Sequence, residues 1–262
     1  MSNEPSDIRD HFASIPPHPS PPVSPLASRV LDVYQSSDLP FDLDPVLPRD
    51  RNPWSVSDPM ARALIRFISE LECRSVLEFG AGWSSVVLAH ALQTVGGGRL
   101  TSVEHQPEYL DDCWERVQRF PLVDPALVVR PLRSRISRYG LLWGYDGLAP
   151  RLAPRAPYDL VVIDAPPGAY GRSSPLFDTY SLLAPGAVVV LDDASRPAER
   201  TAVARWLATF PGLHLVVRDE RVRRGIAVLV HDGNKRRRLA PRTIAGTFRE
   251  RLRERRERRR AA

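Results

Sequence analysis

Two hydrophobic periods run along the chain. Short segments in which most residues are apolar occur at SVLEF, RLTSVE, ALVVRP, YDLVVID, AVVVLDD, LHLVVRD and GIAVLVH. Each is too short for a buried helix and rich in β-branched residues, so they read as seven strands. Ahead of the first, Met60, Leu64, Ile68 and Leu71 recur at helical spacing behind Ser57, a candidate cap, with Pro59 in the first turn. Helical patterns also follow most of the first five strands. This alternation predicts an α/β fold: a doubly wound, mainly parallel seven-stranded sheet with helices on both faces. The link between the last two strands, ERVRR, is too short for a crossover helix, so these two should form a terminal antiparallel hairpin.

The ends of the chain differ from this middle. Residues 1–50 hold 10 of the 26 prolines, centred on IPPHPSPPVSP, and read as a proline-rich flexible arm. Residues 51–232 read as the folded domain. Residues 233–262 carry 13 Lys/Arg against 3 Glu, more than the whole net charge of +6, so the basic character belongs to the tail and the rest is mildly acidic. Such a tail can touch nucleic acid or another acidic partner; a solvated, partly helical extension is the plainer reading. No apolar run approaches the length of a membrane span, and the acidic start lacks the pattern of a secretory leader, so the chain is expected in the cytoplasm. Cys73 and Cys113 lack metal-ligand spacing and read as reduced packing residues.

Candidate chemistry begins where the first strand runs into Gly80-Ala81-Gly82 and then a helix opening with Trp83 and Ser84. In a doubly wound sheet this turn is where backbone approaches a ligand, and a side chain at either glycine would hinder it. A dinucleotide loop would carry a third glycine where Ser84 stands, which disfavours a nicotinamide-dependent dehydrogenase. Glu78, two residues ahead of the loop, would repel a pyrophosphate and suit an ammonium-bearing ligand. Glu104 ends the second strand, where an acid can accept from both hydroxyls of a ribose.

Taken together, LEFGAGWSS, SVEHQPEYL and YDLVVIDAPPG resemble three motifs of the class I S-adenosylmethionine-dependent methyltransferases. The likeness spans roughly residues 54–232. It implies a sheet order 3-2-1-4-5-7-6, with S-adenosylmethionine over the loop from Gly80 to Ser84, Glu104 on its ribose and His105 beside its adenine. It also places Asp164, at the end of the fourth strand, next to the cofactor.

Asp192 and Asp193 end the fifth strand, which neighbours the fourth at about 4.8 Å, so three carboxylates emerge at one edge. Oxygen ligands suit Mg²⁺ or another divalent cation, which would orient an acceptor and lower its hydroxyl pKa. The set is similar to the metal site of catechol, caffeoyl-coenzyme A and macrocin O-methyltransferases, with Asp164 and Asp192 as the catalytic pair. Two features oppose it. Adjacent strand residues face opposite ways, so Asp192 and Asp193 can share an ion only if the strand ends between them, and either Asp193 or Ser195 can instead cap the next helix. The lysine base of the catechol type is replaced by Pro167, leaving the general base unassigned.

The Asp164-Ala-Pro-Pro-Gly168 stretch is a shifted likeness of the Asp-Pro-Pro-Tyr box of amino-group methyltransferases and lacks its aromatic. In the loop beyond, Tyr170 and Arg172 are candidate substrate contacts, as is Arg196; Trp54, Trp143 and Tyr145 are candidate pocket aromatics, with plain core packing as the alternative. The reading is methyl transfer to oxygen of a small molecule. RNA or protein methylation through the tail is a second reading, and a non-catalytic S-adenosylmethionine-binding interaction module a third.

Overall fold

The structure, a computed structural model, describes residues 24–43, 46–47, 55–110, 113–167, 170–239, 244 and 247–248. The expected arm up to residue 23, Trp54, Gly168 and the tail from residue 249 lie outside the described residues. Helix α1 (Pro25–Gln35) and α2 (Asp58–Glu70) precede the first strand. Then follow β1 (Ser75–Phe79), α3 (Trp83–Thr94), β2 (Gly98–Glu104), α4 (Cys113–Gln118) and β3 (Val123–Val129). A hairpin of β4 (Leu132–Ser137) and β5 (Gly140–Tyr145) leads to α5 (Leu148–Leu152), β6 (Tyr158–Ile163) and α6 (Ser174–Thr179). The chain continues through β7 (Leu183–Asp192), α7 (Pro197–Thr209), β8 (Leu213–Asp219) and β9 (Ile226–His231).

Seven strands form one sheet in the order β3-β2-β1-β6-β7-β9-β8. Counting only these seven, this is the expected order 3-2-1-4-5-7-6. The first five are parallel; β9 runs antiparallel to both β7 and β8, so the short ERVRR link does make a hairpin. Both faces are covered. Val76, Leu100, Leu160, Val162, Val188 and Val190 face α1 to α4, whereas Leu77, Val103, Val161, Ile163, Val189 and Leu191 face α6, α7 and β5. Two buried faces explain why the strands read as unbroken apolar runs rather than alternating ones. Among the described residues no helix is long and apolar enough to cross a membrane.

Three expectations need correction. First, the arm does not extend to residue 50: Ser24 caps α1 through its hydroxyl, and Ala27, Val30 and Val33 are buried in the core. Arg66 donates to the Tyr34 carbonyl and the Tyr34 hydroxyl donates to Asp219, so the C-terminal end of α1 is fastened to the domain. Prolines in this region start a helix rather than prevent one. Second, the domain does not stop at residue 232. Arg238 N–H donates to the Thr209 carbonyl, Lys235 to the Leu183 carbonyl, and buried Thr247 accepts from Leu141 N–H. Third, the sequence pattern shows no sign of the β4–β5 hairpin, which lies outside the main sheet. Its first strand, LRSRIS, has two arginines and two serines among six residues and too few apolar ones to register as a strand. At α2, Ser57 makes no side-chain capping bond, although Pro59 and the buried Met60, Leu64 and Ile68 stand as expected.

Candidate active site

The loop after β1 is built from below by Glu78. Its side chain is fully buried, and its Oε2 accepts from Ser85 Oγ at 2.5 Å and Ser102 Oγ at 2.7 Å. Ser85 Oγ in turn accepts from Gly82 N–H at 3.1 Å, so the carboxylate, one hydroxyl and the loop backbone form a single relay. With no exposed surface, Glu78 shapes the loop from beneath. Burial pushes its carboxyl up to about 7, against hydrogen bonds from Ser84, Ser85 and Ser102 and with Glu104 adding to the rise.

That shift has a sign. A carboxyl that holds its proton more tightly in the folded state contributes stability at low pH and loses it as pH rises through the folded pKa. Glu78→Gln cannot ionise. Its stability relative to the parent should therefore grow from about pH 4.3 to about pH 7 and level off above, by up to about 4 kcal/mol. Denaturant unfolding from pH 4 to 8 measures this; a difference independent of pH would show that Glu78 ionises freely.

Gly80 and Gly82 serve different ends. Gly80 has φ +94°, and a Cβ there would sit 3.0 Å from Ala165 Cβ, so the loop needs glycine to turn beneath the end of β6. Gly82 is extended, and a Cβ there would meet no protein atom within 4 Å. The space over it is therefore open, and a side chain would fill only the volume a ligand would use.

Glu104 closes the neighbouring edge. Its Oε2 accepts from Ala81 N–H at 3.1 Å; its Oε1 accepts from the N–H groups of His105 at 2.6 Å and Gln106 at 2.8 Å and lies 2.7 Å from His105 Nδ1. Burial would raise its pKa, but the His105 side chain and the two backbone donors outweigh that and hold it below the usual carboxylate range. Glu104 thus ties the glycine loop to the end of β2 as an ionised group. Trp83 and Ser84 open α3 beside it, Trp83 under the Arg116 guanidinium at 5.2 Å.

At the ends of β6 and β7 the three expected carboxylates do meet: Asp164, Asp192 and Asp193 each offer an oxygen within 4.8 Å of the others. β7 ends at Asp192, and Asp193 turns to φ +58°, so the strand does stop between the pair. Neither Asp193 nor Ser195 caps α7; Arg196 occupies that position without a side-chain bond.

The residue composition alone does not reveal what lies among them. Arg172, read as a loop residue facing substrate, is only 4% exposed and points inward. Its Nη2 lies 2.8 Å from Asp193 Oδ2 and 3.0 Å from Asp164 Oδ1. Its Nη1 donates to the Asp192 carbonyl at 2.8 Å and its Nε to the Pro166 carbonyl at 3.2 Å. Arg196 adds a second cation at 2.8 Å from Asp193, and Arg224 a third at 3.7 Å. Glu199, fully buried on α7, has no hydrogen-bond partner on either carboxylate oxygen among the described residues; Arg172 Nε lies 3.9 Å from it. Desolvation first, and then mutual repulsion, hold Asp164 and Asp192 above the usual carboxylate range, with Arg172 pulling both down. Asp164 keeps 27% of its side-chain surface and faces the loop mouth.

Aromatic groups complete the mouth. Trp143, on the unforeseen hairpin, meets Tyr170 edge to face at 5.0 Å. Tyr145 is wholly buried between Phe79, at 5.6 Å, and His105, at 6.4 Å, so it supports the site from within the core rather than lining a pocket. His90 packs between Phe41 and Phe120, and Cys73 and Cys113 are buried free thiols.

Residues 77–194 match a family model described as a methyltransferase domain. No curated protein matches the chain. Among solved structures, the O-methyltransferase TomG from Streptomyces achromogenes, involved in tomaymycin synthesis and in complex with SAM, is 21% identical. The match covers 86% of this chain and 95% of TomG at a TM-score of 0.48. An O-methyltransferase from Bacillus cereus in complex with SAH is 17% identical, with coverage of 85% and 96% and a TM-score of 0.49. The family match starts within β1 and ends just beyond β7, taking in the glycine loop, Glu104, Asp164, Asp192 and Asp193. Residues 77–194 therefore match a methyltransferase domain, and the strand order around them is the one that likeness implies.

Proposed function

We propose that this chain methylates an oxygen atom of a small molecule. The observation that carries the reading is the open space over Gly82, in a glycine loop that ionised Glu104 ties to the end of β2 and that turns beneath Ala165 at the end of β6. In this reading S-adenosylmethionine would occupy the space over the loop. The loop from Gly80 to Ser84 would pass beneath it, Glu104 would accept from its ribose hydroxyls, and His105 would lie beside its adenine. When bound, the cofactor supplies an electrophilic methyl group. The protein's work is to hold an acceptor in line with it and keep water out. In this reading Asp164 and Asp192 would accept a hydrogen bond from the acceptor hydroxyl, and the packed pair Trp143 and Tyr170 would give it an apolar wall.

The divalent ion expected from the three aspartates plays no part in this reading, because Arg172 already occupies two of them. Nor does RNA or protein methylation through the tail gain support. Among the described residues of that segment, Lys235, Arg238 and Thr247 make contacts that hold the domain together.

The test has two stages. Calorimetric titration with S-adenosylhomocysteine should show micromolar binding. Transfer of labelled methyl from S-adenosylmethionine should then be sought on hydroxylated small molecules, amines and RNA in parallel. Label on hydroxyl compounds supports the proposal, and label on amines or RNA alone refutes it. Tight binding with no transfer to any class would favour a binding-only module.

A further inference from the structure

The acidic cluster at the ends of β6 and β7 has the residue types of a divalent-ion site but a different occupant. Two of its three carboxylates share one guanidinium, at 3.0 and 2.8 Å. That guanidinium is not a loose surface group. It is 4% exposed, its other nitrogens are bound to the carbonyls of Asp192 and Pro166, and Glu199 flanks it from α7. Moving Arg172 aside would break these bonds together and leave Glu199, already without hydrogen-bond partners, more isolated. Leaving it in place would set a dication beside a fixed positive charge, with Arg196 and Arg224 adding two more on Asp193.

We infer that Arg172 is a built-in cation that takes the place of a divalent metal at this cluster. It neutralises and orients Asp164 and joins the loop after β6 to the loop after β7. This rests on the methyl-transfer reading above, and it makes Arg172 a positioning residue: its own surface is closed to an acceptor, and it acts through Asp164. A fixed guanidinium cannot lower the pKa of an acceptor oxygen by direct coordination as a metal would. The domain is therefore suited to acceptors that need a hydrogen-bonding carboxylate rather than chelation of two adjacent oxygens.

Manganese titration of the full-length chain, followed by electron paramagnetic resonance of the free ion, tests this directly. The parent protein should show no saturable Mn²⁺ binding into the millimolar range, and its affinity for S-adenosylhomocysteine should be unchanged by a chelator. Arg172→Met, which vacates the space between Asp164 and Asp193, should gain one Mn²⁺ site at least about tenfold tighter than any parent binding. Arg172→Lys, which keeps a point charge, should not gain it. Saturable Mn²⁺ binding by the parent, lost on Asp164→Asn, would overturn the inference. So would a folded Arg172→Met variant that gains no Mn²⁺. If that variant does not fold, the parent titration still decides. Failure to bind S-adenosylhomocysteine would instead refute the cofactor reading, independently of the manganese result.

Discussion

Replacing Asp193 by Asn should cost about 3 kcal/mol of folding stability, the scale seen when one partner of a buried ion pair is removed. Asp193 is 2% exposed, and Arg172, Arg196 and Arg224 all converge on it. Without its charge, Arg172 retains Asp164 at 3.0 Å, while Arg196, 31% exposed, can turn to water. The loss therefore falls mainly on the buried guanidinium. Asp193→Ala should cost about 1 kcal/mol more than Asn, because the residue holds φ +58°, a left-handed conformation that Asn tolerates and Ala does not. Asp192→Ala is the contrast. Arg172 reaches that residue through its main-chain carbonyl, so this substitution keeps the contact and removes a repelling carboxylate. Urea unfolding of the three variants at pH 7 measures the order, and added salt should change it little, since the pair is buried. Equal losses at positions 192 and 193 would contradict the arrangement described here.

Glu104→Ala should weaken S-adenosylhomocysteine binding by on the order of 100-fold, about 3 kcal/mol. Two losses combine. The ribose hydroxyls would lose their acceptor, and the N–H groups of Ala81, His105 and Gln106 would lose the carboxylate that sets the loop against the end of β2. Glu104→Gln keeps one acceptor oxygen and the same shape, so about a tenfold loss is expected, the scale of one charged hydrogen bond. Calorimetry with S-adenosylhomocysteine gives both values, and thermal unfolding of the same samples shows that the domain remains intact. An unchanged affinity in Glu104→Ala would remove this residue from the cofactor site.

The glycine loop, the acid at the end of β2 and the run of seven strands were legible from residues alone, while the order of those strands came with the family resemblance. Each depends on a local pattern: apolar runs of strand length, a turn that only glycine permits beneath Ala165, a carboxylate at a strand end. Helix α1 escaped notice because its prolines lie on either side of a short amphipathic segment, and proline density suggests an extended chain until Ser24 is seen to cap it. The β4–β5 hairpin escaped because LRSRIS has the composition of an exposed loop. Its placement depends on contacts elsewhere, including Arg135 with Asp178 on α6 and Leu141 with Thr247 near the C-terminus.

The sequence by itself determined that this protein has a doubly wound sheet, that a glycine loop forms its first turn, and that three aspartates gather at one edge. These follow from short-range periodicity and from the rule that strand ends of a parallel sheet share an edge. Only the tertiary structure decided what Glu78 and Arg172 do. Glu78 reads as a ligand contact until its neighbours Ser85 and Ser102 are seen to enclose it. Arg172 reads as one of many surface arginines until the loop folds it back onto partners 20 and 21 residues away. A charge has no local signature of burial; its meaning comes from the desolvation and the counter-charges that the fold assembles around it.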